Sequence, residues 1–282
     1  MSEKRKLSPA EITRKVLLVL MLAAVVAVEI WYRLCDSPGE SVTELYSSLS
    51  RFFGGMVALI FILEFSFGKI LRPLGNKRAS ALIFIIPALA VAINNFPWVS
   101  LAMGDCSFGG SVGDILFFAF SCFCVGFFEE LAFRGCALML LLKSRTATKL
   151  KIFMAIFWSS VVFGAVHLVN IFTASPGAVI LQIGYSALIG ALCCTVLLET
   201  GNIWLCVFTH ALYNFAGGVI PAFGEGTIWT APEIAITAIV GVAVAIYSVV
   251  RFIKMPTERA EELFSGKESL INKNKEITDG QL

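Results

Sequence analysis

Residues 114–142 read DILFFAFSCFCVGFFEELAFRGCALMLLL. The stretch exceeds the roughly 20 apolar residues that a helix needs to cross a bilayer. It nonetheless carries Glu129, Glu130 and Arg134 in its interior. An ionisable group at bilayer depth is costly and marks a functional site by default. The chain has only two histidines, His167 and His210, and each lies in another long apolar segment. Acids and imidazoles, the usual tools of proton transfer, therefore recur in three separate apolar segments.

Working outward, the chain is 57% apolar and only 15% charged, with a mean hydropathy of +0.83. A soluble domain of this size carries about a quarter charged residues. The composition excludes a soluble globule and predicts an all-α, polytopic membrane bundle. No basic stripe with interleaved aromatics is present, which argues against a nucleic-acid partner; the bilayer itself is the implied surrounding. Eight stretches of spanning length occur, at about 16–32, 52–70, 79–99, 114–142, 150–172, 177–199, 202–222 and 231–253. The first lacks a clear cleavage site and continues through Glu29-Ile30-Trp31-Tyr32, so it reads as a retained helix.

Basic residues orient the bundle. Placing the N-terminus inside collects most Lys and Arg on one face: Lys4, Arg5 and Lys6 in the tail, Lys69 and Arg72 after the second span, Lys143 and Lys149 after the fourth, and the group from Arg251 onward. Arg33 and Arg51 then fall at the outer ends of the first two spans. Both termini are expected in the cytoplasm, with tails at 1–15 and 254–282 around a transmembrane domain at 16–253. Pro256-Thr257-Glu258 is a plausible start for a short surface helix in the second tail. Most of the eight cysteines sit within apolar runs and read as small packing residues. Cys35 and Cys106 differ, because both fall in outer loops where a disulfide can persist; whether they are bridged is open.

Within the acid-bearing span, Glu130 and Arg134 are i and i+4 and can pair on one helix face. Glu129 is turned away by about 100°, towards a different surface. Two adjacent carboxylates in a low dielectric do not both stay ionised unaided. With Arg134 neutralising one, the other is available as a general base. Phe163-Gly164-Ala165-Val166-His167 closes the fifth span. His210 and Asn214, again i and i+4, offer polar groups from one face of the seventh. They could bind an oxyanion, orient a water, or join helices. A purely structural reading fits Glu130 with Arg134, and fits either histidine alone. It leaves Glu129 unexplained.

These motifs, in this order, resemble the CAAX-protease and bacteriocin-processing (CPBP, or Abi) family of intramembrane proteases. The Glu-Glu pair followed after three residues by Arg is matched by Glu129, Glu130 and Arg134. Phe-x-x-x-His is matched by Phe163 and His167, with Asn170 as in bacterial members. His-x-x-x-Asn is matched by His210 and Asn214. The resemblance covers about residues 114–222. It implies an endopeptidase that hydrolyses peptide bonds within the membrane, with a peptide or membrane protein as substrate. Glu129 and His167 would activate water, His210 and Asn214 would hold the oxyanion, and Glu130 and Arg134 would fix the helix. No cofactor is required in that version. An alternative makes Glu129, His167 and His210 ligands of a catalytic zinc, although no H-E-x-x-H helix exists.

Two other classes compete. One is a non-catalytic bacteriocin-immunity or scaffold protein of the same family. The other is a proton-coupled transporter, since buried Glu and His also build proton relays; such proteins show broken helices in both halves, whereas the Pro and Gly breaks here lie mostly at span ends. The absence of organelle signals points to a prokaryotic plasma membrane. Substrate identity, oligomeric state and the side from which the site opens are left open.

Overall fold

The structure, a computed structural model, describes residues 40–73, 76–143, 148–172 and 174–264, together with isolated helical positions between residues 9 and 31. The first expected span and Cys35 fall largely or wholly outside the described residues. The elements are α1 (Glu40–Glu64), α2 (Ile86–Asn94), α3 (Trp98–Met103), β1 (Cys106–Ser107), α4 (Val112–Glu130), α5 (Met139–Leu142), α6 (Lys149–Val166), α7 (Pro176–Thr200), α8 (Ile203–Phe223), β2 (Glu225–Gly226), α9 (Ala231–Lys254) and α10 (Glu258–Phe264). A π-helical turn, Leu131–Leu138, joins α4 to α5, and 3-10 turns occupy Asn76–Ile85 and His167–Phe172.

Among the described residues, six helical stretches are long and apolar enough to cross a membrane: Val42–Glu64, Val112–Leu142, Lys149–Phe172, Pro176–Thr200, Ile203–Phe223 and Ala231–Lys254. Their outward faces are apolar as well, with Leu116, Ile180, Ile239 and Ile246 all exposed. Helices apolar all round suit a lipid surrounding. The protein is a multi-pass helical membrane protein.

Two expected spans are corrected. The second, placed at 52–70, is helix α1 and begins twelve residues earlier, at Glu40. Glu44, Ser47, Ser48, Ser50 and Arg51 dilute its first turns and hid the stripe of Val42, Leu45 and Leu49. Ser48 is buried and its hydroxyl lies 2.9 Å from Ser121 Oγ of α4, so this polar run has a partner on the neighbouring helix. The third, placed at 79–99, is not one α-helix. It divides into the 3-10 turn Asn76–Ile85, α2 and α3. Pro87 stands at the start of α2 and Pro97 is the N-cap of α3, and a proline lacks the N–H that would carry a helix through.

The ends of the site-bearing helices are set by local chemistry. The Ser111 side chain accepts the Asp114 amide at the start of α4, and Thr148 does the same for Lys151 at α6. Asn202 accepts two amides, Trp204 at 2.9 Å and Leu205 at 3.3 Å, to start α8. Gly201, with φ 67, turns the chain between α7 and α8, a left-handed conformation that favours glycine. Helix α4 packs against α1 and α8, and α6 packs against α7. A Cβ on Gly126 would lie 2.9 Å from the Val207 carbonyl oxygen, and one on Gly164 would lie 2.7 Å from that of Ile183. These two glycines set the close approaches of α4 to α8 and of α6 to α7.

The core between the helices includes Ile62, Phe67, Leu131, Leu138, Leu192 and Leu197, all essentially inaccessible. At one end, β1 and β2 pair antiparallel and tie the loop before α4 to the loop after α8. Cys106 in β1 is buried and free. At the other, Arg251 of α9 pairs with Glu199 of α7 and lies 4.3 Å over the Phe84 ring. The short helix expected from Glu258 is present as α10. It is not a loose surface element, because Ala260 and Leu263 are buried in the core and Lys69 Nζ donates to the Glu262 carbonyl at 3.2 Å.

Candidate active site

The end of α4, the end of α6 and the middle of α8 converge on one point. Glu130 and Arg134 are both fully buried, with Arg134 Nη1 2.9 Å from Glu130 Oε1. The approach is off the hydrogen-bonding direction, so the pair is held mainly by charge. Arg134 also stacks its guanidinium 4.1 Å over the Phe163 ring, a cation–π contact in a desolvated setting. The π-helical turn that begins at Leu131 carries Arg134. Such turns recur at functional sites.

His210 lies between the two acids. Its Nδ1 is 2.7 Å from Glu130 Oε1, and its Nε2 is 3.5 Å from Glu129 Oε2. The Glu130 carboxylate, already facing Arg134, accepts from Nδ1–H. Nε2 is then directed at Glu129. Glu130 Oε1 thus faces both Arg134 and His210, and His210 links the two adjacent acids. The two acids differ in access. The Glu129 side chain is 20% exposed and that of Glu130 is 0% exposed, so only Glu129 can meet water or substrate.

His167 stands at the junction of α6 with the 3-10 turn. Its Nδ1 lies 3.0 Å from the Phe163 carbonyl. A carbonyl only accepts, so Nδ1 carries the proton and, in the neutral ring, Nε2 is the open acceptor. The nearest hydroxyl to Nε2 is Ser186 Oγ of α7, at a long 3.5 Å. Phe163 packs edge-on against both imidazoles, at 5.3 Å from His167 and 5.8 Å from His210. It is a shared wall that spaces the two rings.

Glu129, His167, His210 and Asn214 line a single cavity of about 1250 Å³. Glu130 and Arg134 lie behind its wall. The structure therefore brings the three motifs together, with one departure from the expected pairing: the partner of Glu129 in the resting structure is His210. His167 is engaged by Phe163 and Ser186. The motifs gave no sign of Ser186, Gln182 and Tyr185, which line the cavity from α7. Gln182 accepts from Asn170 Nδ2 at 2.7 Å and holds the turn after His167 against α7. Nothing in the sequence of α7 marks these positions, since they are isolated polar residues in an apolar run.

The zinc alternative fits the geometry poorly. Among the described residues, the trio whose ligand atoms lie within 4.8 Å of one another is Glu130, Cys193 and Cys206; Glu129, His167 and His210 are not gathered to that spacing. Glu130 is already committed to Arg134 and His210, and the nearby guanidinium opposes a cation. Cys206 Sγ donates to the Cys193 carbonyl at 3.3 Å.

Fold and site together define a multi-pass membrane protein with a Glu/His cluster facing an internal cavity. Residues 111–216, which contain all three motifs, match the family described as Rce1-like, type II CAAX prenyl endopeptidase Rce1-like, within the CAAX-protease and bacteriocin-processing family. That family is one of proteases. No curated protein and no solved structure matches the chain.

Proposed function

We propose that the protein is an intramembrane endopeptidase that hydrolyses peptide bonds with a water activated by Glu129 and His167. The observation that carries this reading is Glu129 Oε2 facing His210 Nε2 at 3.5 Å in a cavity also lined by His167. That volume exceeds the roughly 300–1,000 Å³ of ordinary small-molecule pockets and has room for an extended peptide segment.

In the proposed reaction, a water between Glu129 and His167 attacks the scissile carbonyl carbon. Glu129 takes one proton of the water as general base, and His167 Nε2 accepts the other hydrogen bond. The carbonyl π electrons pass to oxygen, and His210 Nε2–H with the Asn214 side-chain amide donates to the resulting oxyanion. Collapse of the intermediate breaks the C–N bond. The proton held by Glu129 goes to the departing amine, leaving a new carboxyl terminus and a new amino terminus. Glu130 positions His210 by accepting from Nδ1–H, and Arg134 holds the Glu130 carboxylate in place; neither touches substrate.

A peptide or membrane-protein substrate and a prokaryotic plasma membrane complete the proposal. The purified protein, reconstituted in liposomes with membrane-anchored peptides, should yield paired internal fragments by mass spectrometry. Binding of such peptides with no fragment from any of them would favour the non-catalytic immunity or scaffold reading.

A further inference from the structure

A second, smaller cavity of about 30 Å³ lies among α2, α7, α8 and α9. Leu188, Leu192, Val240 and Val244 line it, but so do Asn94, Asn95, Thr237, Tyr185 and Tyr213. Polar side chains at membrane depth are costly and mark function by default. Asn94 Nδ2 lies 3.4 Å from Thr237 Oγ1, and Asn95 Nδ2 donates to the Tyr213 carbonyl at 2.9 Å. Each contact uses one of the roughly four hydrogen bonds an Asn side chain can make. A buried water needs roughly 10–15 Å³ and about 2–4 polar partners. The small cavity meets both conditions and has room for about two waters.

This space lies between the site and one end of the bundle. Tyr185, Ile189 and Tyr213 line both cavities, so one layer of side chains separates them. Ser186, which follows Tyr185, is 3.5 Å from His167 Nε2, and Asn214 follows Tyr213. The shared wall therefore stands beside the groups proposed to act on water. In the other direction, Thr230, Glu233 and Thr237 recur along one face of α9 at helical spacing. Glu233 is buried and accepts the Val99 and Ser100 amides at 2.6 and 3.1 Å, and Thr230 Oγ1 is 3.0 Å from Ser100 Oγ. A row of polar side chains thus descends about 10 Å from the β1–β2 end of the bundle to Thr237 and Asn94.

We propose that the small cavity is a water site that supplies the hydrolytic water to Glu129 and His167 from the α2–α9 side. This rests on the hydrolytic reading of the site. A seated peptide displaces solvent from the wide cavity, and every bond cleaved consumes one water. Water held behind Tyr185 and Tyr213 stays in place when substrate binds, one side chain away from the reacting groups. Asn94, Asn95 and Thr237 hold it by hydrogen bonds, a rotamer change at either tyrosine opens the wall, and the polar row on α9 refills the space.

The test uses the full-length protein in phosphatidylcholine liposomes. Hydroxyl radicals made by a brief X-ray pulse oxidise side chains next to water. Leu192 reports on the small cavity, because it is 2% exposed and does not line the wide one. It should be oxidised in the unaltered protein. Gly241 also lines the small cavity, and a Cβ there would sit 4.0 Å from Leu188 Cδ2, an ordinary contact. Gly241→Ala therefore fills part of the space without a clash and raises helix propensity. It should hold or raise the melting temperature, remove most of the Leu192 oxidation, and lower kcat about fivefold or more with KM unchanged. Thr237→Val, similar in shape, should act in the same direction. A structural role alone would move activity and stability together. Leu192 left unoxidised in the unaltered protein means a dry cavity and overturns the proposal. Loss of oxidation in Gly241→Ala with kcat unchanged also overturns it, because water excluded without effect does not supply the reaction. If oxidation survives in Gly241→Ala, the larger Gly241→Val is read by the same criteria. Oxidised Leu192 with no cleavage of any peptide removes the hydrolytic reading and leaves a hydration site without a supply role.

Discussion

Replacing Arg134 with Met tests whether charge at the back of the site holds it together. Arg134 and Glu130 are each fully buried and 2.9 Å apart. Removing one partner of a buried ion pair costs about 3–5 kcal/mol, because the other charge is left uncompensated. The lost stacking over Phe163, at 4.1 Å, adds about 1 kcal/mol. His210 Nδ1 stays 2.7 Å from Glu130 Oε1 and recovers part of the loss, so Arg134→Met should cost about 3–4 kcal/mol. Glu130→Gln strands the guanidinium and should cost a similar amount. The double variant Glu130→Gln/Arg134→Met buries no charge and keeps an acceptor for His210. Its loss should fall below the sum of the singles by about 2 kcal/mol or more. Reversible denaturant unfolding in mixed micelles reads all four proteins. A loss under about 1 kcal/mol for Arg134→Met, or strict additivity in the cycle, would show that the Glu130–Arg134 pair does not hold the site together.

Other outcomes follow from the same geometry. Gly126→Ala places a methyl about 2.9 Å from the Val207 carbonyl oxygen and 3.0 Å from the Ala211 amide. It should push α8 off α4, cost about 1–3 kcal/mol, and reduce cleavage more than it reduces stability; an unchanged rate would uncouple this contact from the site. Ser186→Ala loses only a long contact to His167 and should keep most of the activity. Inactivation, with fluorophosphonate labelling of Ser186 in the unaltered protein, would instead identify a Ser–His nucleophile. Strong chelators should leave cleavage unchanged, and loss restored by zinc would return the metal version.

Much of the fold and of the site was legible because the relevant signals are local. Five spans from 114 to 253 stand out by apolar length alone, and their helices begin and end within about two residues of expectation. Glu129, His167, His210 and Asn214 were singled out because polar groups are rare at bilayer depth, and they share a cavity. What was missed depends on partners distant in sequence. The first turns of α1 looked too polar for a span because nothing local shows that Ser48 meets Ser121, and this hid that Arg51 lies midway along the helix. The interruption at Pro87 was absorbed into an apolar run whose composition alone could not fix its winding. The contact of His210 with both acids depends on the closeness of α4 to α8, set by Gly126 against Val207. The α7 residues Gln182 and Ser186 reach the site only through tertiary packing.

The proposed hydrolysis depends above all on Glu129 acting as the base. Its most direct test compares single-turnover cleavage of one reconstituted peptide by the unaltered protein and by Glu129→Gln, with the fragments weighed after reaction in 18O-labelled water. Glu129→Gln keeps the shape and removes the base, so it should fold and bind peptide normally while cleavage falls by about 10²–10⁴-fold. The unaltered protein should place one labelled oxygen in the new carboxyl terminus. Near-normal cleavage by a well-folded Glu129→Gln protein would show that Glu129 is not the base.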